Sequence, residues 1–434
     1  MRSRIVFAFL AASIAAAPAS AALTSAEQAM IRTIDAEQQR TTAMLQRWVD
    51  QNSGTLNLAG VRAVRDMVEP EFRQLGFKTE WIEMKAAGRA GHLVARHVGS
   101  SSGKRLLLIA HLDTVFEPDS PFQRWAREGD MAHGPGSGDD KGGIAVIVAA
   151  LRGMQAAGTL KNANITVVMT GDEEDAGDPL SISRRDLIAE GKKADAALDF
   201  EDLSTKDGRD MGSIARRSAG SWMVTVTGRS AHSSGIGAPG VGYGAIYELA
   251  RILDQFRREL PEDKLTYNVG LIGGGQSATL DAGQIRLEAT GKTNIVAATA
   301  VARGDLRAIS EEQIARTQEK MRAIVAQSLP GAKAEISFEG RYPPMPPTAA
   351  NRTLLARLNT VNADMGLPQM GELDPAERGA GDISFVAKDV SGLVGLGPSS
   401  VGSHTANEAV DVPSIFKQAK RAAILMSRLA AEHR

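Results

Sequence analysis

The feature that most constrains the fold is a set of short apolar runs separated by segments of helix length. Residues 106–110, 165–169 and 194–200 are rich in apolar side chains, and residues 144–154 are apolar at helical spacing. Such runs are typical of strands that are buried on both faces of a sheet. Their alternation with a helix predicts an α/β fold with a largely parallel sheet.

Residues 218–339 follow a different order from the rest of the chain. The predicted elements there are a strand at 222–227, a helix at 244–258, strands at 265–272 and 295–308, a helix at 311–329 and a strand at 334–338. This β-α-β-β-α-β order is that of a ferredoxin-like unit. Because α/β character returns after the prolines of 343–347, we predict one α/β domain, residues 22–217 and 340–434, interrupted by an inserted α+β domain.

The N-terminal segment, residues 1–21, has the composition of a secretory signal peptide. Arg2 and Arg4 precede an apolar run over residues 5–17, and small residues precede a predicted cleavage after Ala21. The apolar run is too short to span the ~30 Å hydrocarbon core of a bilayer comfortably, so we expect no stable membrane anchor. The segment predicts a periplasmic or secreted protein.

Charge and the inventory of possible ligands narrow the function. The chain has 50 Lys and Arg against 51 Asp and Glu, so its net charge of −1 provides no global attraction to nucleic acid. It contains no Cys and only seven His. Disulfides, cysteine nucleophiles and thiolate metal sites are therefore excluded, and any metal site must be built mainly from carboxylates.

Acidic residues and histidines follow the predicted strands of the α/β domain. They are His111, Asp113, Glu173, Glu174, Glu201 and His404, and the glycine-rich loop 134–143 adds Asp139. Since the carboxyl ends of parallel strands share one edge of a sheet, these side chains can converge. Two other kinds of site, a phosphate-binding loop and a serine nucleophile, lack support in the sequence. Lys141 is not followed by the hydroxyl residue of a phosphate-binding loop, and residues 397–401 lack the second glycine of a nucleophile elbow.

Five motifs that carry these residues occur in a fixed order. They are residues 109–115, 136–143, 170–174, 200–201 and 402–405. Together they resemble the co-catalytic zinc exopeptidase family that includes glutamate carboxypeptidase, aminoacylase and succinyl-diaminopimelate desuccinylase. The resemblance covers nearly the whole chain after the signal segment. It implies a parallel-sheet catalytic domain and an inserted domain that serves as lid and dimerisation unit.

The resemblance also implies a role for each residue of the motifs. The implied ligands of two Zn²⁺ per subunit, or of another divalent metal, are His111, Asp139, Glu174, Glu201 and His404. Asp139 would bridge the two ions. Glu173 would be the general base that takes a proton from a water between them. Asp113 would orient the imidazole of His111 through its other ring nitrogen.

Four further residues are implied in turnover and substrate binding. His232 matches a histidine that reaches across a dimer to stabilise the oxyanion, which implies a homodimer through the inserted domain. Asn294 and Arg341 match a pair that holds a free carboxylate, a task that suits an arginine fork. Gly381 lies in a segment that resembles the family's glycine-rich substrate loop. The stretch between the glycines of 273–275 and Asn294 is longer than expected.

The resulting prediction is metal-dependent hydrolysis of an amide or peptide bond, with release of a C-terminal amino acid from a small peptide or N-acyl amino acid. Glu201, rather than Asp, favours a carboxypeptidase, acylase or desuccinylase. An N-acyl-amino-acid amidohydrolase or a dipeptidase is the alternative. A non-enzymatic binding protein is disfavoured because all ligand types and Glu173 are present. A single Ca²⁺ site is disfavoured because calcium prefers oxygen ligands to histidine.

Overall fold

The computed structural model describes residues 22–100 and 102–434, and the predicted signal peptide lies outside them. Within these residues the helices are α1 (Ser25–Ala36), α2 (Gln38–Val49), α3 (Leu58–Gln74), α4 (Lys141–Ala156), α5 (Leu180–Ser183), α6 (Arg185–Gly191), α7 (Gly244–Glu259), α8 (Glu311–Val325), α9 (Ala349–Asp364) and α10 (Val412–Ala431). The strands are β1 (Lys78–Glu83), β2 (Gly91–His97), β3 (Arg105–His111), β4 (Ala126–Glu128), β5 (Met131–His133), β6 (Asn164–Thr170), β7 (Ala196–Asp199), β8 (Ser204–Lys206), β9 (Arg209–Gly212), β10 (Ala219–Gly228), β11 (Ala231–His232), β12 (Thr266–Tyr267), β13 (Leu271–Gly275), β14 (Ser277–Leu280), β15 (Leu287–Thr290), β16 (Ile295–Val296), β17 (Thr299–Arg307), β18 (Ala332–Tyr342), β19 (Gly371–Glu372), β20 (Gly392–Val394), β21 (Ser400–Val401) and β22 (Ala409–Asp411). Among the described helices, none has the length and apolar character needed to cross a membrane.

The larger sheet has the strand order β1-β2-β6-β3-β7-β20. Strands β6, β3, β7 and β20 run parallel, whereas β2 is antiparallel to β6 and β1 is antiparallel to β2. The prediction of an α/β fold with a largely parallel sheet is confirmed. The carboxyl ends of β3, β6 and β7 lie at one edge, and each is followed by residues that the motifs singled out.

The central strand β3 is buried on both faces of this sheet. Leu106 and Leu108 belong to the core formed with α1, α4 and α10. Leu107 and Ile109 face the opposite side, where they pack with Leu187 of α6. Because successive side chains of a strand point to opposite faces, the interior of β3 has no place for a charged group. Functional side chains are therefore confined to the end of the strand.

A second, antiparallel sheet lies within residues 219–342. Its strand order is β12-β17-β10-β18, and β13 also pairs with β17. Helices α7 and α8 cover one face, where Trp222, Val224, Phe256 and Met321 are buried. The principal elements follow the order strand, helix, strand, strand, helix, strand. The function of this unit as a lid and dimerisation domain stays a prediction.

Two details of this unit differ from the sequence prediction. The long stretch before Asn294 forms a hairpin, in which β14 pairs with β15 and Leu287 packs over Gly273. The single strand expected over 265–272 is divided into β12 and β13. The pairing register with β17 shifts by one residue between them, which is the signature of a β-bulge.

Candidate metal centre

Side chains from five segments meet at the carboxyl edge of the larger sheet. His111 ends β3, Asp139 precedes α4, Glu174 follows β6, Glu201 follows β7, and His404 lies between β21 and β22. Four of them, Asp139, Glu174, Glu201 and His404, line a cleft of about 250 Å³, and His111 is buried beside Asp139. The cleft lining includes Asp139, Glu173, Glu174, Glu201, Arg216, Arg378 and His404.

Asp139 lies between the two histidines. Its Oδ1 is 3.0 Å from Nε2 of His111, and its Oδ2 is 3.2 Å from Nε2 of His404. The same His404 nitrogen is 3.1 Å from Oε2 of Glu174. Ligand atoms of His111, Asp139 and Glu174 all lie within 4.8 Å of one another. A carboxylate with one oxygen towards each histidine suits a ligand shared by two cations, and this set of nitrogen and oxygen donors fits zinc and similar divalent metals.

The carboxylates of this cluster shift the pKa values of both histidines. Hydrogen bonds with Asp139 and Glu174 raise the pKa of His404 to about 11. Burial by itself lowers the pKa of His111, but the carboxylates of Asp113 and Asp139 outweigh burial and raise it well above its usual value. Burial raises the pKa of Glu174 to about 6. Both imidazoles thus face carboxylates, and such a surrounding would also stabilise a bound divalent cation.

Asp113 organises the turn that carries Glu173 and Glu174. Its Oδ1 accepts the main-chain N–H of Glu173 at 3.0 Å, and its Oδ2 accepts that of Glu174 at 3.2 Å. Oδ2 also accepts the hydroxyl of Thr55 at 2.6 Å.

The contact between Asp113 and His111 is partly through the main chain. Nδ1 of His111 is 3.1 Å from the carbonyl oxygen of Asp113 and 3.4 Å from its Oδ1. A carbonyl oxygen only accepts, so Nδ1 carries the proton and Nε2 faces Asp139.

Glu201 lies in the cleft but faces two arginines. Its Oε2 is 2.6 Å from Nη2 of Arg216 and 3.1 Å from Nη2 of Arg378. Burial by itself raises the pKa of Glu201, but the guanidinium of Arg216 outweighs burial and lowers it. Glu201 is thus a charged carboxylate, as a metal ligand must be, and it already has cationic partners.

Gly381 explains why the arginine–glutamate pair can form. A Cβ atom at this position would lie 2.0 Å from Nη1 of Arg216 and 2.6 Å from Oε1 of Glu201. Contacts this short do not occur between unbonded heavy atoms, so the loop reaches the pair only because residue 381 has no side chain. Gly381 therefore packs against Arg216 and Glu201, two residues of the cleft lining, and its role in a substrate loop stays a prediction.

Glu173 lines the cleft beside these groups. Burial and the neighbouring charge of Glu201 raise its pKa well above the usual range of a carboxyl group. Both of its main-chain polar groups are fixed, the N–H by Asp113 and the carbonyl oxygen by the hydroxyl of Tyr342 at 2.7 Å. A carboxyl group held in this way can exchange protons with a water in the cleft.

The three residues predicted for the oxyanion and the substrate carboxylate lie elsewhere. His232 and Asn294 are neighbours on the second sheet unit, where Ser233 N–H donates to the Asn294 carbonyl at 2.9 Å. In the described part of the chain neither lines the cleft. Arg341 is closer to the turn of residues 171–179 between β6 and α5, which is called the catalytic turn below after the role proposed for Glu173. Its Nη2 lies 3.4 Å from the carbonyl oxygen of Ala176.

Several residues of the centre escaped the sequence analysis. Glu408 accepts the main-chain N–H groups of Gly138 and Asp139 at 3.1 and 3.4 Å, and burial raises its pKa to about 8. Its position four residues after His404 was an available signal. Arg216 and Arg378 had no such signal, because each meets Glu201 only through the tertiary fold.

The fold and the histidine–carboxylate cluster define a metal-dependent hydrolase of the α/β class. The chain belongs to the peptidase family M20/M25/M40, whose sequence model matches residues 107–428. The family resemblance predicted from the motifs is confirmed, and with it metal-dependent hydrolysis of an amide bond.

Two curated relatives and one solved structure illustrate the similarity. Carboxypeptidase G2 from Pseudomonas sp. (strain RS-16) is 28% identical over 409 residues, which cover 91% of this chain and 90% of the relative. Succinyl-diaminopimelate desuccinylase from Bordetella avium is 26% identical over 365 residues, which cover 80% and 88%. The crystal structure of a tripeptidase from Staphylococcus aureus superposes with a TM-score of 0.72 at 20% identity, covering 91% of this chain and 99% of the tripeptidase.

Proposed function

We propose that this protein is a periplasmic or secreted zinc carboxypeptidase that cleaves an amide bond next to a free carboxylate. The observation that carries the proposal is the contact of Asp139 with both His111 and His404, together with the place of Glu173 in the same cleft lining as Asp139 and His404. The similarity to Carboxypeptidase G2 extends over both chains almost completely and supports the carboxypeptidase class. Export rests on the segment of residues 1–21.

We propose two zinc ions per subunit. Asp139 would be shared by the two ions, Glu174 and His404 would complete one position, and His111 with Glu201 would complete the other. The donor set supports zinc, because imidazole nitrogen and carboxylate oxygen are its usual ligands where no thiolate is available. When bound, the ions polarise the substrate carbonyl and lower the pKa of a water molecule.

Glu173 acts first as the general base and then as the general acid of the reaction. It removes a proton from the attacking water as the water oxygen bonds to the carbonyl carbon. It then delivers that proton to the amine nitrogen as the carbon–nitrogen bond breaks. One water molecule is consumed, and the immediate products are a carboxylic acid and a neutral amine, so atoms and charge balance. The remaining acid proton then passes to the amine, and the products leave as a carboxylate and an ammonium group.

A second copy of the chain completes the site in this proposal. His232 and Asn294 lie together on the second sheet unit and outside the cleft of their own described chain. The same unit exposes Ile246, Tyr247 and Ile272, which lie on α7 and on the neighbouring strand β13. An isologous dimer through this surface buries these side chains and carries His232 to the partner's cleft. Arg341 then binds the substrate carboxylate beside the catalytic turn.

An N-acyl-amino-acid amidohydrolase is the second candidate, favoured by the similarity to succinyl-diaminopimelate desuccinylase. A hydrolysis screen of the zinc-loaded protein separates the two. N-benzoylglycyl amino acids, N-succinyl and N-acetyl amino acids and free dipeptides are compared, each with a free and an amidated C-terminus. A carboxypeptidase releases the C-terminal residue of the first group. Cleavage of simple N-acyl amino acids alone would assign the protein to the amidohydrolases.

Arg341→Ala provides the matching test of carboxylate recognition. The variant is expected to weaken kcat/KM on free-carboxylate substrates by about 10- to 100-fold, because a charge-assisted fork is lost. Residual cleavage of amidated analogues should not change. An equal loss on both substrate forms would remove Arg341 from carboxylate binding.

A further inference from the structure

Arg184 is a fully buried arginine that joins separate segments around the cleft. Its Nε donates to Oδ1 of Asp382 at 2.8 Å, and its Nη1 donates to Oδ1 of Asp172 at 2.5 Å. Its Nη2 donates to the carbonyl oxygen of Asp172 at 2.9 Å and to the hydroxyl of Tyr342 at 3.1 Å. One guanidinium thus contacts the catalytic turn, the loop after Gly381 and the end of β18.

Tyr342 links Arg184 to the main chain of the catalytic turn. Its hydroxyl accepts from Arg184 and donates to the carbonyl oxygen of Glu173 at 2.7 Å. The ring packs against Phe385, with ring centroids 4.9 Å apart. Tyr342 is also the last residue of β18, the point where the chain leaves the second sheet. The hydroxyl is therefore held on both sides and has little freedom to move.

The two aspartates are in turn tied to the same region. Oδ2 of Asp172 accepts the N–H of Gly177 and the hydroxyl of Ser183, both at 2.8 Å. Oδ2 of Asp382 accepts the hydroxyl of Thr170 at 2.6 Å. The turn between β6 and α5 is consequently anchored at its start and at its end.

A buried ionic group of this kind is a weak source of stability. Removing an arginine and two carboxylates from water costs a large desolvation free energy, which their mutual attraction does little more than offset. A satisfied network of this kind does define one arrangement of the chain. The network therefore serves to fix the positions of these segments more than to raise the free energy of unfolding.

We propose that Arg184 and Tyr342 are positioning residues for Glu173. This inference rests on the proposed function, in which Glu173 is the general base. Asp113 fixes the main-chain N–H of Glu173, and Tyr342 fixes its carbonyl oxygen. Loss of the tyrosine hydroxyl frees one side of the peptide unit, and small displacements of a catalytic group are enough to slow catalysis.

Tyr342→Phe tests the inference, because it removes one oxygen atom and keeps the ring. With an N-benzoylglycyl amino acid as substrate, kcat is expected to fall by about 10-fold or more while KM and zinc content stay within about twofold. Tyr267→Phe is the matched control, since it removes the hydroxyl of another half-buried tyrosine of the same sheet and should change nothing. Unchanged kcat in Tyr342→Phe would overturn the inference.

A double-mutant cycle shows whether Tyr342 acts through Glu173. In a Glu173→Asp background the carboxylate is already displaced, so Tyr342→Phe should cost much less than in the wild type. If the double mutant loses kcat by the product of the two single-mutant factors, the positioning role is overturned. Arg184→Lys should reproduce the fall in kcat if it folds, and Tyr342→Phe keeps the test valid if it does not. Full activity of Glu173→Asp and Glu173→Gln would instead overturn the proposed function.

Discussion

Oδ1 of Asp113 accepts a hydrogen bond of 3.0 Å from the main-chain N–H of Glu173. Oδ2 of the same carboxylate accepts the next N–H, that of Glu174. The residue that was predicted to orient a histidine therefore also shapes the turn that presents the proposed base and a proposed metal ligand. The two functions of this carboxylate make it sensitive to substitutions that keep its size.

Asp113→Asn should impair both metal binding and turnover. The amide replaces one acceptor oxygen by an NH₂ donor, which must face a main-chain N–H or the Thr55 hydroxyl. We expect about a 10- to 100-fold loss of zinc affinity, measured by competition with a chromophoric chelator. Thr55→Val removes only one donor to this carboxylate and should weaken zinc binding much less. Wild-type zinc affinity in Asp113→Asn would contradict this role.

Gly381→Ala should disturb the centre through sterics alone. The new Cβ would lie 2.0 Å from Arg216 Nη1, so the arginine and Glu201 must move. We expect a loss of about 1–3 kcal/mol in the free energy of unfolding, together with a large loss of kcat/KM. Gly379→Ala is the control for stability, because a Cβ there meets no atom within 4 Å. The two variants should differ in melting temperature, and equal values would refute the steric argument.

Mixing two inactive variants tests whether His232 acts in the neighbouring subunit. His232→Ala and Glu173→Gln each lack one part of every site in a homodimer. In a mixed dimer one of the two sites has both parts, so remixing after dissociation should restore up to about a quarter of wild-type activity. If His232 acted within its own subunit, no combination would regain activity. Native mass spectrometry, with one variant carrying an affinity tag of distinct mass, confirms that subunits have exchanged.

Asp210 lies outside the cleft lining, and its ion pairs predict how the free energy of unfolding depends on pH. Burial by itself raises its pKa, but hydrogen bonds from Lys417 and Arg421 of α10 outweigh burial and lower it. A carboxyl group with a lowered folded-state pKa stabilises the protein above its unfolded pKa of about 3.9, and the contribution is lost as pH falls through the folded-state value.

Asp210→Asn should therefore cost about 2 kcal/mol of unfolding free energy at neutral pH. The difference from wild type should begin to shrink below about pH 4, where the Asp210 carboxyl group of the unfolded wild-type chain takes up a proton while that of the folded protein still resists it. Urea unfolding of the metal-free proteins between pH 7 and pH 3 measures it. A constant difference across this range would show that the ion pairs do not carry the effect.

The larger sheet could be predicted because its central strand is apolar on both faces. Leu106 to Ile109 are buried on alternating faces of the sheet. The apolar run therefore predicts both the strand and the strand end at which the polar site residues start. The small sheets and the β14–β15 hairpin were missed. In the turn of that hairpin the positive φ of 56° falls on Gln284 and not on the neighbouring Gly283, so the glycine does not mark the left-handed position.

The motif residues of the cluster could be singled out because His111 ends a strand, Glu174 and Glu201 lie shortly after strands, Asp139 lies shortly before a helix, and His404 lies in a loop between two short strands. Their cationic partners could not. Arg378 and Glu201 are 177 positions apart, and Arg184 and Tyr342 are 158 apart. No local periodicity or turn rule links such pairs, since only the assembled sheet and loops bring them together.

Titration of the metal-free protein with Zn²⁺, with hydrolysis of an N-benzoylglycyl amino acid followed at each addition, tests the central claim most directly. The account predicts no turnover without metal, a rise to a plateau at about two equivalents per chain, and a plateau strongly reduced in His404→Ala. Turnover in the rigorously metal-free protein, or a wild-type plateau in His404→Ala, would contradict the assignment of this cluster as the catalytic metal centre.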